Sequence, residues 1–560
     1  MSPYGAFVLV MHLHVPAAYY ALDSAAADEN LYRTCAETVI PVLDRLRLMA
    51  DSGSAPRVTL GITPTVAERL ASSAFKPLFL RYLDDRIAAA QRDLAFYNGE
   101  PVTASANPSD AYGQSLQQPP DSHMAFLAQR AVEFYTSTRE TFIETFGGDL
   151  IATLRALEAD DHIELMTSAA SYAYLPLHNP TGMRAQIRAA VAIHERLFGR
   201  RPVTLWLPGG GFSAEVSRVL TAEGIRAVIV EPHLITGGQP SGAAAGETLG
   251  RAREIKQTFT LPHFNFPPHQ PRSPRVAYQT ADGLAVLMID QPALMQIWGG
   301  VTGYPGDFDY RAQDRRASLS SLNYWRVTGP NIAADRREPY HPDWAGYKTD
   351  QHAEHFAHLV SDLVRPSAPD ASSYGAVVTA FETDQFTQYW FEGADWVLKT
   401  IRILDWSSDI ELLTVSGYLA QHSPAATVEI HAGSAGLTGT HFTWNNGTNR
   451  WTWPAINSAV ERMTRLVRSL PAPDESARIV LTQMTRELLI AQSADWQTYM
   501  AVVRSPEAYS LYARLLMRHL ERFNHLAAGL ESGSPDTGRA LLYGEELRVL
   551  PHADFRWFGD

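Results

Sequence analysis

The chain predicts an α/β fold built on parallel strands, either a barrel or a doubly wound sheet. Three observations carry the prediction. Short, strongly apolar runs recur along the first two thirds of the sequence, long stretches with helical spacing lie between them, and the residues able to do chemistry fall at the C-terminal ends of the apolar runs. Alternating strand and helix patterns select a parallel sheet, and strand ends are where (β/α) barrels place their sites.

The first run, AFVLVMHLHV at 6–15, lacks the basic leader and small-residue cleavage site of a signal peptide, and polar residues interrupt it well short of a membrane span. It reads as a buried first strand. His12 and His14 alternate with Leu13 and so share one side of it. The following candidate strands are RVTLGIT (57–63), HIELMTS (162–168), TLWLP (204–208), IRAVIVEP (225–232), GLAVLMID (283–290) and GAVVTAFE (375–382). Helical patterns such as PVLDRLRLMAD (41–51) and HERLFG (194–199) separate them. Residues 65–160 are mostly helical in pattern and too long for an ordinary barrel loop, which predicts an inserted helical subdomain. The stretch 236–274, rich in Gly, Pro, Ala and Gln, reads as a mobile loop. After Asp405 the pattern turns to helices with few buried strands, broken by a Gly, Ser and Thr-rich stretch at 431–453.

Composition bounds the function. A chain of 560 residues exceeds the usual single domain, so a large catalytic-type domain with an appended module is expected. A net charge of −13 argues against nucleic acid and anionic membranes as partners, which want basic faces, and leaves a neutral polysaccharide unaffected. The single cysteine, Cys35, forms no intramolecular disulfide and fits a reducing compartment, so the cytoplasm is expected. His352, His355 and His358 share a helical segment, but no partner carboxylate at metal spacing accompanies them, and a solvated helix face is the expected reading. The GGG at 209–211 and GG at 237–238 lack the lysine of a phosphate loop. No metal and no cofactor are predicted.

The motifs MHLHVP (11–16), LGITP (60–64), IELMTSAASYAYLPL (163–177), WLPGGGF (206–212), YPGDFDYR (304–311) and FETDQFTQYWFEG (381–393) occur in an order that resembles glycoside hydrolase family 57. RELLIAQSADWQTYM (486–500) and YSLYARLLMRHLERFNHL (509–526) are similar to the helical tail of that family's α-1,4-glucan branching enzymes. The resemblance implies an incomplete (β/α)7 TIM-like barrel over residues 1–405 with a helical insertion at about 65–160, followed by a C-terminal helical domain over 406–560. It also implies a retaining mechanism, which needs two carboxylates about 5–5.5 Å apart.

The family's nucleophilic glutamate follows Trp-Leu-Pro, and the matching residue here is Gly209, which cannot form a glycosyl ester. Its acid/base aspartate is matched by Glu382, with Asp384 as the acidic residue two places on. Tyr172 stands near a position usually held by histidine, and GSAGLTG (433–439) replaces a Gly-Glu-Gly run, so three site regions read as having lost polar groups. Glu215, Glu231 and Asp307 are the carboxylates available as substitutes, Glu231 foremost because it ends a strand, although a buried salt bridge is the competing use. By the same resemblance, His12 and His14 line the sugar-binding floor, and Trp206, Trp298, Tyr304, Asp307 and Trp390 contact substrate. Tyr19 and Tyr389 join the aromatic set near the motifs, whereas Trp444, Trp451, Trp453 and Trp496 are expected to pack the tail against the barrel. Trp206 and Trp390 are expected in the cleft itself.

These readings together predict a branching-enzyme-like protein that binds α-1,4-glucan or maltooligosaccharide, has lost retaining catalysis, and acts beside an active glucan-metabolising paralogue. The alternative is an active branching enzyme, glucanotransferase or amylase that uses Glu382 or Asp384 with a non-standard nucleophile or an inverting water, and a scaffold that merely keeps the fold is a third reading. A missing side chain at 209 further predicts a small cavity that admits azide and a Gly209→Glu variant with slight activity.

Overall fold

A computed structural model describes residues 3–16, 25–103, 115–240, 260–261, 266–299, 303–365, 374–503 and 505–559. Tyr19 and most of the 236–274 stretch lie outside the described residues.

All seven apolar runs are strands. In chain order the sheet contains β1 (Gly5–Leu13), β2 (Val58–Ile62), β3 (Ile163–Ser168), β4 (Thr204–Trp206), β5 (Ala227–Val230), β6 (Tyr278–Gln279), β7 (Ala285–Met288), β8 (Gly375–Glu382) and β9 (Ile410–Leu412). The spatial order is β8-β1-β2-β3-β4-β5-β7-β6, parallel except for the short edge strand β6. Every residue of β1, β2 and β3 is buried, as expected for strands covered on both faces, and this is why the runs carry no polar alternation. β1 lies between β8 and β2, in register with β8 from Gly5↔Gly375 to His12↔Glu382.

The sheet curls into a barrel without closing. No ladder joins β7 to β8, and the seam is bridged by Asp290 N donating to Val378 O at 2.8 Å and Ala376 N donating to Arg275 O at 2.7 Å. One strand lies in the region expected to hold few: β9, beyond Asp405, pairs with the first residues of β1, Gly5↔Ile410 to Phe7↔Leu412.

Between β2 and β3 the chain forms the helices Pro64–Leu70, Phe75–Tyr97, Ser122–Glu140 and Leu150–Ala159. Asp121 and Asp149 cap the last two, accepting from His123 N and Met124 N and from Ala152 N. The C-terminal helices Thr452–Ser469, Glu475–Ala491, Asp495–Val502, Pro506–Glu531 and Thr537–Leu547 dock on the barrel mouth. Buried polar bonds fasten them there: His14 Nε2 to Asp495 Oδ2 at 3.0 Å, Gln186 Nε2 to Gln492 Oε1 at 3.1 Å, and Ala494 N to Tyr172 O at 3.0 Å. No helix of the described residues is long and apolar enough to cross a membrane.

Candidate active-site cleft

The C-terminal ends of β4, β5, β7 and β8 open into a cleft of about 1150 Å³, including its mouth. Its opposite wall comes from the tail: Ala435, Gly436, Leu437, Thr443, Trp444 and Thr498. The tail segment is stitched to the WLPGGGF turn by Ala435 N donating to Gly209 O at 3.0 Å and by paired bonds between Phe212 and Gly433 at 2.9 and 3.1 Å. GSAGLTG therefore forms an apolar wall where the resemblance implied a carboxylate.

Gly209 sits at this junction with φ 60° and ψ 18°, in the left-handed region where a Cβ is disfavoured. A Cβ there would overlap Cη2 and Cζ2 of Trp444. That indole cannot slide aside readily, because it stacks on Tyr174 at 3.9 Å and its Nε1 donates to Thr498 Oγ1 at 3.0 Å. A side chain at 209 would thus meet Trp444 at its Cβ, while Gly209 itself lines the cleft.

Two carboxyl groups line the cleft. Glu382 ends β8, and its Oε1 accepts the Tyr172 hydroxyl. Tyr172, read from sequence as a lost polar group, is instead the donor that holds Glu382. Its backbone is itself in the left-handed region at φ 60°, a costly conformation for a non-glycine residue that the docked Ala494 N helps to hold. Burial, reinforced by the Glu382 charge, pushes the Tyr172 hydroxyl far above its usual range, so it stays protonated and donating.

Glu231, which follows β5, is 1% exposed and accepts Gln291 Nε2 at 2.5 Å. Burial pushes its carboxyl up to about 8, against the opposing effect of that hydrogen bond. Among the described residues no ion pair reaches it, so the salt-bridge use does not apply there. Asp384 is off the cleft: it opens the short helix Asp384–Gln388 and accepts Gln388 Nε2 at 2.9 Å. Glu215 pairs with Arg218 on its own helix, and Asp307 faces Lys348 and His352 at 3.9 and 3.7 Å in a separate depression.

The aromatic residues divide. Trp206 and Trp298 line the cleft, and the buried Trp298 Nε1 has no acceptor among the described residues. Trp390 does not reach it. It is fully buried in an aromatic cluster with Tyr304, Tyr310, Phe386 and Trp396, because the QYWFEG turn folds inward behind β8. Tyr304 belongs to that cluster and hydrogen-bonds His355 Nδ1 at 2.7 Å, while Tyr310 does the same with His352. His352 is therefore a buttress of the cluster and not a solvated group; His358 is exposed. Tyr389 is half-buried, Trp453 and Trp496 are buried in the tail, and Trp451 is 38% exposed.

His12 and His14 form a layer beneath the cleft lining. His12 stacks on Trp206 at 4.9 Å and 3°, and His14 stacks on Tyr172 at 3.7 Å. Burial, with the neighbouring His14, holds His12 well below its usual range and so neutral. Trp390→Ala should accordingly cost about 3–5 kcal/mol of stability, as for a buried aromatic, and leave the ligand affinity of the folded fraction unchanged. Trp206→Ala should do the reverse. Chemical denaturation and calorimetry on both variants check the division.

Of the tail residues in the wall, Ala435, Gly436 and Leu437 fall in the GSAGLTG run read from sequence as a site region, whereas Thr443, Trp444 and Thr498 were not read as cleft residues. No group of three or more His, Cys, Asp or Glu able to hold a metal occurs among the described residues.

An open parallel barrel with carboxyl groups at its strand ends, set among tryptophans in a cleft, is the architecture of the barrel glycoside hydrolases. Residues 50–298 match glycosyl hydrolase family 57, and residues 455–558 match the C-terminal region of 1,4-α-glucan branching enzymes. The chain is 28% identical over 540 residues to a 1,4-α-glucan branching enzyme of Thermococcus kodakarensis, covering 93% of this chain and 73% of that one. The crystal structure of a family 57 branching enzyme from that archaeon, in complex with glucose, superposes with a TM-score of 0.85 at 26% identity, covering 100% of this chain and 97% of the other. A branching enzyme of this type from Pyrococcus horikoshii superposes with a TM-score of 0.83 at 25% identity, with coverage of 100% and 97%. Residues 50–298 are thus of the glycosyl hydrolase family 57 type and the tail is of the branching-enzyme type, and the fold over the whole chain is that of the family 57 branching enzymes.

Proposed function

We propose that the chain binds α-1,4-glucan or maltooligosaccharide in this cleft and has lost the double displacement through which retaining glycosidases work. The observation that carries the reading is Gly209: it bears no nucleophile, and a Cβ added there would overlap Trp444. Branching and disproportionation both pass through a covalent glycosyl-enzyme, so both should stand at background. Loss of such a group costs several orders of magnitude. Iodine staining and reducing-end release on amylose, run beside an active branching enzyme, test this; comparable turnover would overturn it. Binding is tested by calorimetry with maltoheptaose, where Trp206→Ala should weaken affinity about tenfold or more.

The domain division that fits this reading is a barrel unit over 1–405, with the insertion at about 65–160, and a branching-enzyme-type unit over 406–560 that lends β9 to the sheet. Its setting is the cytoplasm, on the strength of the single cysteine, and its role is to bind glucan alongside an active paralogue.

A further inference from the structure

We propose that Glu231 and Glu382 form a second carboxyl pair able to hydrolyse an α-glucosidic bond by single displacement, Glu231 giving the proton and Glu382 activating the water. The proposal rests on the reading of the cleft as a glucan site.

The topology brings the two to one cleft. Glu231 follows β5 and Glu382 ends β8; β7 pairs with β5 on one side and meets β8 through the Asp290 to Val378 hydrogen bond on the other. Through these registers Glu231 lies level with Val378, so Glu382 stands two strands across and four residues further along β8, and side chains from alternate barrel strands share a layer. Both glutamates line the cleft. Single displacement needs the two carboxyl groups about 6.5–9.5 Å apart, with room for a water, whereas a retaining pair needs about 5–5.5 Å.

The environments assign the roles. Glu382 accepts the Tyr172 hydroxyl, which suits a carboxylate acting as base. Glu231 is walled by Ile229, Ile289, Leu294 and Trp298, with the Gln291 amide as its polar partner, and the Gln291 Oε1 is buried without one among the described residues. The titratable groups around Glu231 are few. Glu382 and Tyr172 share its cleft, His233 is turned to Gly439 O at 3.2 Å, and Asp290 is closed by Arg275 at 2.9 Å. With its carboxyl pushed up to about 8 by burial, Glu231 carries its proton at neutral pH.

In the step itself, the water oxygen bonds to the anomeric carbon as the bond to the glycosidic oxygen breaks. That oxygen leaves with the electron pair and takes the Glu231 proton, while the proton lost by water goes to Glu382. The product is the β-anomer, and solvent exchange restores both carboxyls.

The full chain is incubated with maltoheptaose and, separately, with α-maltosyl fluoride, whose leaving group needs no proton. Proton NMR follows the first-formed anomer and calorimetry follows maltoheptaose binding in parallel. The expected result is slow hydrolysis giving the β-anomer first, falling about tenfold per pH unit above about 8 as Glu231 loses its proton. Glu231→Gln should lose about 100-fold or more on maltoheptaose and keep its rate on the fluoride, whereas Glu382→Gln should lose both. A chain that binds maltoheptaose but hydrolyses neither substrate overturns the pair and leaves the binding reading intact. An α-anomer as first product means a covalent step and overturns both. Absence of binding overturns the glucan reading and the pair with it.

Discussion

Gly209→Glu is expected to lower stability by about 2–5 kcal/mol and to leave branching activity at background. Two costs add. The left-handed backbone at φ 60° penalises any Cβ by about 1–2 kcal/mol, and forcing a side chain into the Trp444 ring is overpacking, typically about 1–3 kcal/mol. The ring is held by its stack on Tyr174 and its bond to the Thr498 hydroxyl, with the cleft on its open side. Pairing Gly209→Glu with Trp444→Ala removes the overlap and should recover part of the lost stability, leaving the backbone term. Urea unfolding of the two variants beside the parent measures both parts, and a fully stable single variant would show that Trp444 moves freely.

Asp495→Ala should cost about 1–3 kcal/mol, the usual effect of leaving a buried hydrogen-bonding group without its partner. Asp495 and His14 are 0% and 3% exposed, and their 3.0 Å bond ties the tail to the mouth of β1. His14 in turn stacks on Tyr172, which donates to Glu382. The variant should therefore also loosen the cleft, seen as weaker maltoheptaose binding by the folded fraction. Unchanged stability would mean that the other docking contacts hold the helices without this bond.

The strands were legible in the sequence because a sheet buried on both faces demands unbroken apolar runs, and such runs are hard to mistake. β9 escaped notice because its strand is three residues long and includes a glutamate, with nothing but register against β1 to define it. Site residues were legible where backbone position decides the matter: Trp206, Glu231 and Glu382 sit at strand ends, and strand ends point into the cleft. Trp390 was misplaced because an aromatic in a turn has the same composition whether it faces sugar or core, and the inward fold of QYWFEG depends on neighbours distant in sequence. The pairing of Tyr172 with Glu382 and the seating of Trp444 on Gly209 are contacts between far-separated segments of chain. Local patterning carries no trace of them.

The cleft has one wall from the barrel and one from the tail, joined at Ala435 and Gly209. A sugar chain lying there touches both, so it works as a clasp: whatever free energy it gains on binding is also spent holding the helices to the barrel mouth. Occupancy and assembly become a single equilibrium. On the proposed reading, in which the cleft binds glucan without turning it over, that coupling would be read as a rise in the stability of the tail when maltoheptaose is added.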